Sequence, residues 1–118
     1  MKYSESELKV LDVLWEYGEM DAKKIAAILE EKSGWSRTTV YTLIKRCMDK
    51  GLIQRDKPFV CKAILTKEEA QKMEMNEMMG KFFGNSPTEF LNAFVGNGDL
   101  SEQDISEMQE IIDRLKVK

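Results

Sequence analysis

Six residues of the kind that begins a helix divide this chain into short segments. Behind each of them, apolar residues recur at spacings of three and four, as in an amphipathic helix. Three of the six also have a glutamate three positions later, and at Ser4 and Thr66 we interpret this as the capping-box pattern, which closes the first turn of a helix from both sides. We therefore expect a mainly α-helical chain. The six helix-start residues are Ser4, Asp21, Ser36, Thr66, Ser86 and Ser101.

The first three segments predict three helices. The first extends from Ser4 to Gly18, the second from Asp21 to about residue 32 after a link at residues 19–20, and the third from Ser36 through Lys50 to Gly51. The third helix would bury one face and present a polar second face. The predicted buried face is Val40, Leu43, Ile44 and Cys47, and the polar face is Thr38, Tyr41, Thr42 and Lys45.

Residues 51–66 have no helical spacing and predict a small β-hairpin. Segments 52–55 and 59–64 flank a turn at 56–58, in which Pro58 need not donate a hydrogen bond to the sheet. Three helices followed by a hairpin is the order of a winged helix-turn-helix, where the third helix enters the major groove of DNA and the hairpin lies beside the backbone. We assign this domain to residues 1–66.

The remaining residues, 67–118, predict three further helices that end near Phe83, Val95 and Leu115. Their apolar side chains are too many for short helices to bury alone, so we expect a helical dimerisation tail. The expected dimer-interface residues are Met78, Phe82, Phe90, Leu91, Phe94, Val95, Leu100, Ile105, Met108, Ile112 and Leu115.

Positive charge is concentrated in one part of the chain. The net charge is −3, yet residues 1–66 have a net charge of +2 and residues 67–118 have −5. Residues 37–62 contain seven Lys or Arg side chains and two Asp side chains, a net +5 on the third helix and the hairpin. Because a winged helix-turn-helix places these elements against DNA, the overall acidity is compatible with nucleic-acid binding.

The start of the third helix would place hydroxyl and methyl groups at base edges, and the cations would neutralise phosphates. We expect the threonines and the tyrosine to choose the DNA sequence, and the lysines and arginines to position the protein. The candidate DNA-binding residues are Arg37, Thr38, Thr39, Tyr41, Thr42, Lys45, Arg46, Lys50, Arg55 and Lys57.

Other classes of function lack their usual residues. The chain contains no histidine and two cysteines, Cys47 and Cys61, which leaves out the commonest general base and the usual zinc ligands. We predict two buried or half-buried structural thiols, no catalytic residue, no metal, no cofactor and no enzyme activity. No apolar run approaches the roughly 20 residues that cross a bilayer, and a polar helix start stands where a signal peptide would be apolar. We expect a soluble cytoplasmic protein without a membrane partner.

Several segments resemble the BlaI/MecI family of penicillinase repressors. They are WSRTTVYTLIKR at residues 35–46, DKGLI at 49–53, SESEL at 4–8, VLW at 13–15, and DLSE at 99–102 continuing to Ile111 and Ile112. The resemblance covers nearly the whole chain. It implies a homodimeric repressor that binds inverted-repeat operators on double-stranded DNA, with half-sites similar to TACA/TGTA. The copper-responsive CopY repressors are relatives of that family.

Three departures from the family bear on the details. Tyr41 stands where a basic residue is often found, which leaves the operator sequence open, and the hairpin is shorter than usual. In the β-lactam branch, induction cuts the tail between an Asn and a Phe. The matching bond here is Ala93-Phe94, with Asn92 one place early, which disfavours cleavage and leaves the inducing protease or sensor open. The copper branch is disfavoured because its C-terminal cysteine pairs have no counterpart.

A second hypothesis is a winged-helix protein-interaction module. In that case the basic face binds an acidic protein and the tail is an ordinary helical extension. This hypothesis predicts no retention on duplex DNA at low salt.

Overall fold

The computed structural model describes residues 2–56 and 60–116. Within them the chain is mainly helical with a small antiparallel sheet, as predicted. It divides into two compact units, Met1–Lys72 and Met73–Lys118, and the functional boundary after residue 66 stays a prediction. The elements are α1 (Glu5–Tyr17), β1 (Met20–Asp21), α2 (Ala22–Ser33), α3 (Arg37–Asp49), β2 (Ile53–Asp56), β3 (Val60–Ala63), α4 (Lys67–Phe82), α5 (Pro87–Gly96) and α6 (Glu102–Lys116).

The predicted helix starts are confirmed, and side-chain bonds explain them. At α1, the Ser4 hydroxyl accepts from the Glu7 amide at 3.1 Å, and the Glu7 carboxylate accepts from the Ser4 amide at 2.7 Å. Thr66 and Glu69 form the same reciprocal pair at 3.1 and 2.9 Å. Each pair satisfies amide groups that have no partner inside the helix. Local sequence is therefore sufficient to place these helix starts.

The first unit has one enclosed core. Helices α2 and α3 pack against each other and against α1, while β2 contacts α3 and β3 contacts α1. Trp15 of α1 joins this core by donating its Nε1 hydrogen to the carbonyl of Leu65 at 2.9 Å. The predicted buried face of α3 is confirmed. The buried apolar residues are Val10, Leu11, Val13, Leu14, Ile25, Ala26, Leu29, Val40, Leu43, Ile44, Cys47, Leu52, Ile53, Cys61, Leu65 and Ala70.

The sheet has three strands in the order β1-β3-β2, one more than the predicted hairpin. Strands β2 and β3 are antiparallel, with Ile53 opposite Ala63. Strand β1 pairs with β3 through Met20, which lies opposite Cys61. The predicted link at residues 19–20 is therefore wrong at Met20, which begins β1. A strand of two residues is too short to show the alternation of polar and apolar residues by which strands are predicted. The predicted turn at Pro58 and the strand start at residue 59 lie outside the described residues.

The second unit contains α5, α6 and most of α4. Two ring contacts join its aromatic side chains: Phe83 and Phe90 meet edge to face at 5.4 Å between centroids, and Phe90 and Phe94 stack at 5.9 Å. Asn85 adopts a left-handed φ of 61° at the turn between α4 and α5. Among described residues 73–116, no side chain is fully buried. This unit has ring contacts but no enclosed apolar core.

Candidate nucleic-acid interface

Helix α3 presents a polar surface because its opposite face is buried in the core. Its cap Ser36 accepts a hydrogen bond from the Thr39 amide at 3.2 Å, which fixes where the helix begins. Seven of the predicted DNA-binding residues follow within the next ten positions, and all seven are exposed. They are Arg37, Thr38, Thr39, Tyr41, Thr42, Lys45 and Arg46.

The threonine hydroxyls on α3 differ in which hydrogen bonds they can still form with a ligand. Thr42 Oγ1 donates to the carbonyl oxygen of Thr38 at 3.0 Å, one turn earlier. Thr39 Oγ1 lies 3.0 Å from Ser36 Oγ, and these two hydroxyls share a hydrogen bond. Neither bond uses the Thr38 hydroxyl. Thr38 can therefore donate to a ligand, whereas Thr42 presents its methyl group and an oxygen that can still accept.

Lys50 is bound to a buried carboxylate. Its Nζ donates to Glu7 Oε1 at 2.7 Å, and the Glu7 side chain is only 2% exposed. Burial by itself would raise the pKa of Glu7, but the bonds from Lys50 and Ser4 outweigh it and hold the pKa below its ordinary value. The pair joins the start of α1 to the end of α3. Lys50 thus has a structural contact that its position in the sequence did not reveal.

The hairpin contains an ion pair and an exposed arginine. Asp56 accepts from Gln54 Nε2 at 2.7 Å and forms an ion pair with Lys62 at 3.1 Å. These two bonds lower the pKa of Asp56. Its negative charge therefore offsets the positive charge of Lys62. Arg55, a predicted phosphate contact, is exposed on β2. Lys57, the predicted contact at the turn, lies outside the described residues.

The two thiols are buried, which agrees with the prediction. Cys47 and Cys61 are both buried, and neither is in a disulfide. Burial raises the pKa of Cys47 to about 12 and also raises that of Cys61, so both are thiols at neutral pH.

No group of three or more metal-ligating side chains occurs in the part of the chain that the structure describes. No helix within those residues combines the length and apolarity needed to span a membrane.

The predicted dimer-interface residues are accessible in the single chain. On α6 they recur along one stripe, and the exposed fraction reaches 54% for Ile105 and 65% for Leu115. Phe82 at the end of α4 is 69% exposed, and its ring lies 5.3 Å below Lys81 Nζ. The half-buried members are Met78, Phe90, Leu100 and Met108, and the exposed members are Phe82, Leu91, Phe94, Val95, Ile105, Ile112 and Leu115.

Comparison with known proteins gives a family match over most of the chain. Residues 3–114 match the family model described as penicillinase repressor. The chain belongs to the penicillinase repressor family. The match begins before α1 and ends within α6, so it includes both compact units. It confirms the resemblance carried by the helix-three motif.

Two relatives of known name match most of the chain. The chain is 23% identical over 116 residues to the penicillinase repressor of Bacillus licheniformis, covering 96% of this chain and 91% of the relative. It is 25% identical over 114 residues to the methicillin resistance regulatory protein MecI of Staphylococcus aureus strain N315, covering 94% and 93%. These names are those of regulators, so the family is not one of enzymes, as predicted.

The solved structure supports the fold alone. A MarR family protein from Bacillus stearothermophilus matches with a TM-score of 0.53 at 14% identity, covering 98% of this chain and 74% of that chain. The similarity agrees with a winged helix-turn-helix formed by α1 to α3 and the sheet.

Proposed function

We propose that this family member is a transcriptional repressor that acts in the cytoplasm by binding operator DNA as a homodimer. The observation that carries the proposal is the exposed face of α3, where threonines, a tyrosine and cations lie opposite a fully buried face. A penicillinase repressor and MecI are its relatives. Repression would be steric, because a protein bound at a promoter blocks access to it.

The contacts divide by chemistry. Thr38, Thr39, Tyr41 and Thr42 supply hydroxyl and methyl groups for base edges in the major groove. Arg37, Lys45 and Arg46 on α3, with Arg55 on β2 and Lys57 at the turn predicted from the sequence, neutralise phosphates. Lys50 contributes less to DNA than its charge implies, because Glu7 already accepts from its ammonium group. This division separates the residues that select an operator from those that strengthen binding to any duplex.

The tail of residues 67–118 supplies the dimer. Its apolar stripe on α6 and its aromatic side chains remain accessible in one chain, and a second copy would cover them. A twofold dimer places two α3 helices about one turn of DNA apart, which matches a palindromic operator. The half-sites expected from the family resemblance are similar to TACA/TGTA.

A gel-shift titration tests the proposal. The duplexes are a TACA/TGTA palindrome and a scrambled control, each at two salt concentrations, with wild type, Thr39→Ala and Lys45→Ala. We expect Thr39→Ala to remove the preference for the palindrome, and Lys45→Ala to weaken binding to both duplexes. Equal weak binding of wild type to both would contradict this operator. No binding to either at low salt would favour the protein-interaction module.

A further inference from the structure

A groove of about 750 Å³ opens between α3, the start of α2 and the sheet. Tyr41, Ile44 and Met48 line it from one face of α3, and Val60 of β3 lines it from the sheet. Ile44 is buried, while Tyr41 and Met48 are each 37% exposed. DNA phosphates are bound by cations and polar groups and gain nothing from such an apolar wall. The apolar part of the groove therefore needs another explanation.

The rim of the same groove is cationic. Lys23, Lys45 and Arg55 line it together with one carboxylate, Asp21. Asp21 Oδ1 already accepts from the Lys24 amide at 2.9 Å as the cap of α2. Within residues 2–56 and 60–116, no carboxylate lies at ion-pair distance from Lys23 or Lys45. The combination of an apolar wall and a positive rim fits a ligand that is both aromatic and negatively charged.

We propose that this groove binds a small aromatic anion, a carboxylate or sulfonate, which competes with DNA. Its volume lies within the range of about 300–1,000 Å³ typical of small-molecule sites. The ring would contact Tyr41 and Met48, and the anionic group would face the rim lysines. Competition follows because Tyr41, Lys45 and Arg55 are also proposed DNA contacts, so this part rests on the proposed function. Binding of the anion to the groove does not depend on the proposed function.

The test uses anilinonaphthalene sulfonate as the probe and the full chain as the protein. Fluorescence titration compares wild type with Lys23→Glu and Lys24→Glu. Both lysines are exposed in the first turn of α2, but only Lys23 lines the groove. We expect Lys23→Glu to raise the Kd of the probe at least about tenfold and Lys24→Glu to leave it nearly unchanged. The unfolding midpoint of each variant checks that it folds.

The probe can also adsorb to the exposed apolar side chains of the tail, so its position is measured separately. Amide chemical-shift changes should concentrate at residues 44–48 and at Val60. Met48→Glu, which places a carboxylate on the exposed wall, should abolish the saturable phase. Equal effects of Lys23→Glu and Lys24→Glu, or shifts confined to residues 73–116, would overturn the site.

A second arm tests competition and separates the two proposals. In a gel shift with a duplex that wild type binds, the probe should raise the apparent Kd for DNA, and Lys23→Glu should reduce that rise. An unchanged apparent Kd at saturating probe would overturn competition. If wild type binds no duplex, the repressor proposal fails, while the titration and the chemical shifts still decide whether the groove is a site.

Discussion

The carboxylate of Glu7 is enclosed between α1 and α3, and Lys50 compensates its charge. We expect Lys50→Met to lower the free energy of unfolding by about 2 kcal/mol, because it leaves a buried carboxylate with only the bonds to Ser4. Urea denaturation measures the change. Lys45→Met, the same substitution on an exposed lysine of α3, should change the free energy of unfolding by less than about 0.5 kcal/mol. Equal losses would contradict a special role for the pair.

The same residue makes stability depend on pH. The pKa of Glu7 in the folded protein lies below its ordinary value of 4.5, so its carboxylate binds protons less readily than in the unfolded chain. Its stabilisation is complete above pH 4.5 and is lost as the pH falls through the lowered pKa. Glu7→Gln should therefore lose less stability than wild type on acidification. Urea midpoints measured across that interval check this, and parallel curves would refute it.

Thr38 and Thr42, which lie one helical turn apart, give the sharpest test of how α3 selects DNA. Thr42 donates its hydroxyl to the Thr38 carbonyl, so Thr42→Val keeps the methyl group and removes no donor available to DNA. Thr38→Val removes the hydroxyl that, in the proposed function, donates to a base. We expect Thr38→Val to weaken operator binding about tenfold and Thr42→Val to change it less than about twofold. Fluorescence anisotropy with the palindrome measures both, and the opposite order would reverse the assigned roles.

At the scale of elements, the charge of α3 and the hairpin is smaller than a residue count implies, because Lys50 and Lys62 are paired with Glu7 and Asp56. The salt dependence of binding distinguishes paired from unpaired cations. The DNA-binding constant K falls as salt rises, and each phosphate contact increases the steepness of log K against log salt by about 0.9. Lys45→Gln should reduce the slope by about 2 per dimer, one contact in each protomer. Lys62→Gln is the matched control and should leave the slope nearly unchanged. Equal reductions would show that both lysines contact phosphate.

The helix starts are predictable from the sequence because they are formed by hydrogen bonds between residues close together in the chain. Capping pairs such as Ser4 with Glu7 and Thr66 with Glu69 lie within one helical turn, so the helix starts were predictable. Strand β1 was not, because it exists only through its pairing with β3. The contact between Glu7 and Lys50 joins residues 43 positions apart, and neither charge identifies its partner. The exposed face of α3 was predictable from its apolar spacing, but the bond that commits the Thr42 hydroxyl was not.

The first unit buries apolar side chains and the described part of the second unit does not. The buried apolar residues run from Val10 to Ala70, and no described residue after Met73 is buried. If a second copy covers the tail, a charge on the α6 stripe should separate the copies. We expect Ile112→Glu to produce a monomer in sedimentation equilibrium and to weaken palindrome binding about a hundredfold, because each half then binds alone. Ser106→Glu adds the same charge away from the stripe and should remain dimeric.

The first unit should stay folded in the Ile112→Glu monomer, because its core contains no residue of α6. Cys47 and Cys61 report this directly: both are buried, and their raised pKa values keep them protonated. Their reaction with a thiol reagent at neutral pH should be as slow in the variant as in wild type, and fast only after unfolding. A monomer with protected thiols and weak operator binding would assign the loss to the missing partner. Rapid thiol reaction would instead show that the tail stabilises the first unit, and a dimer with full affinity would place the interface elsewhere.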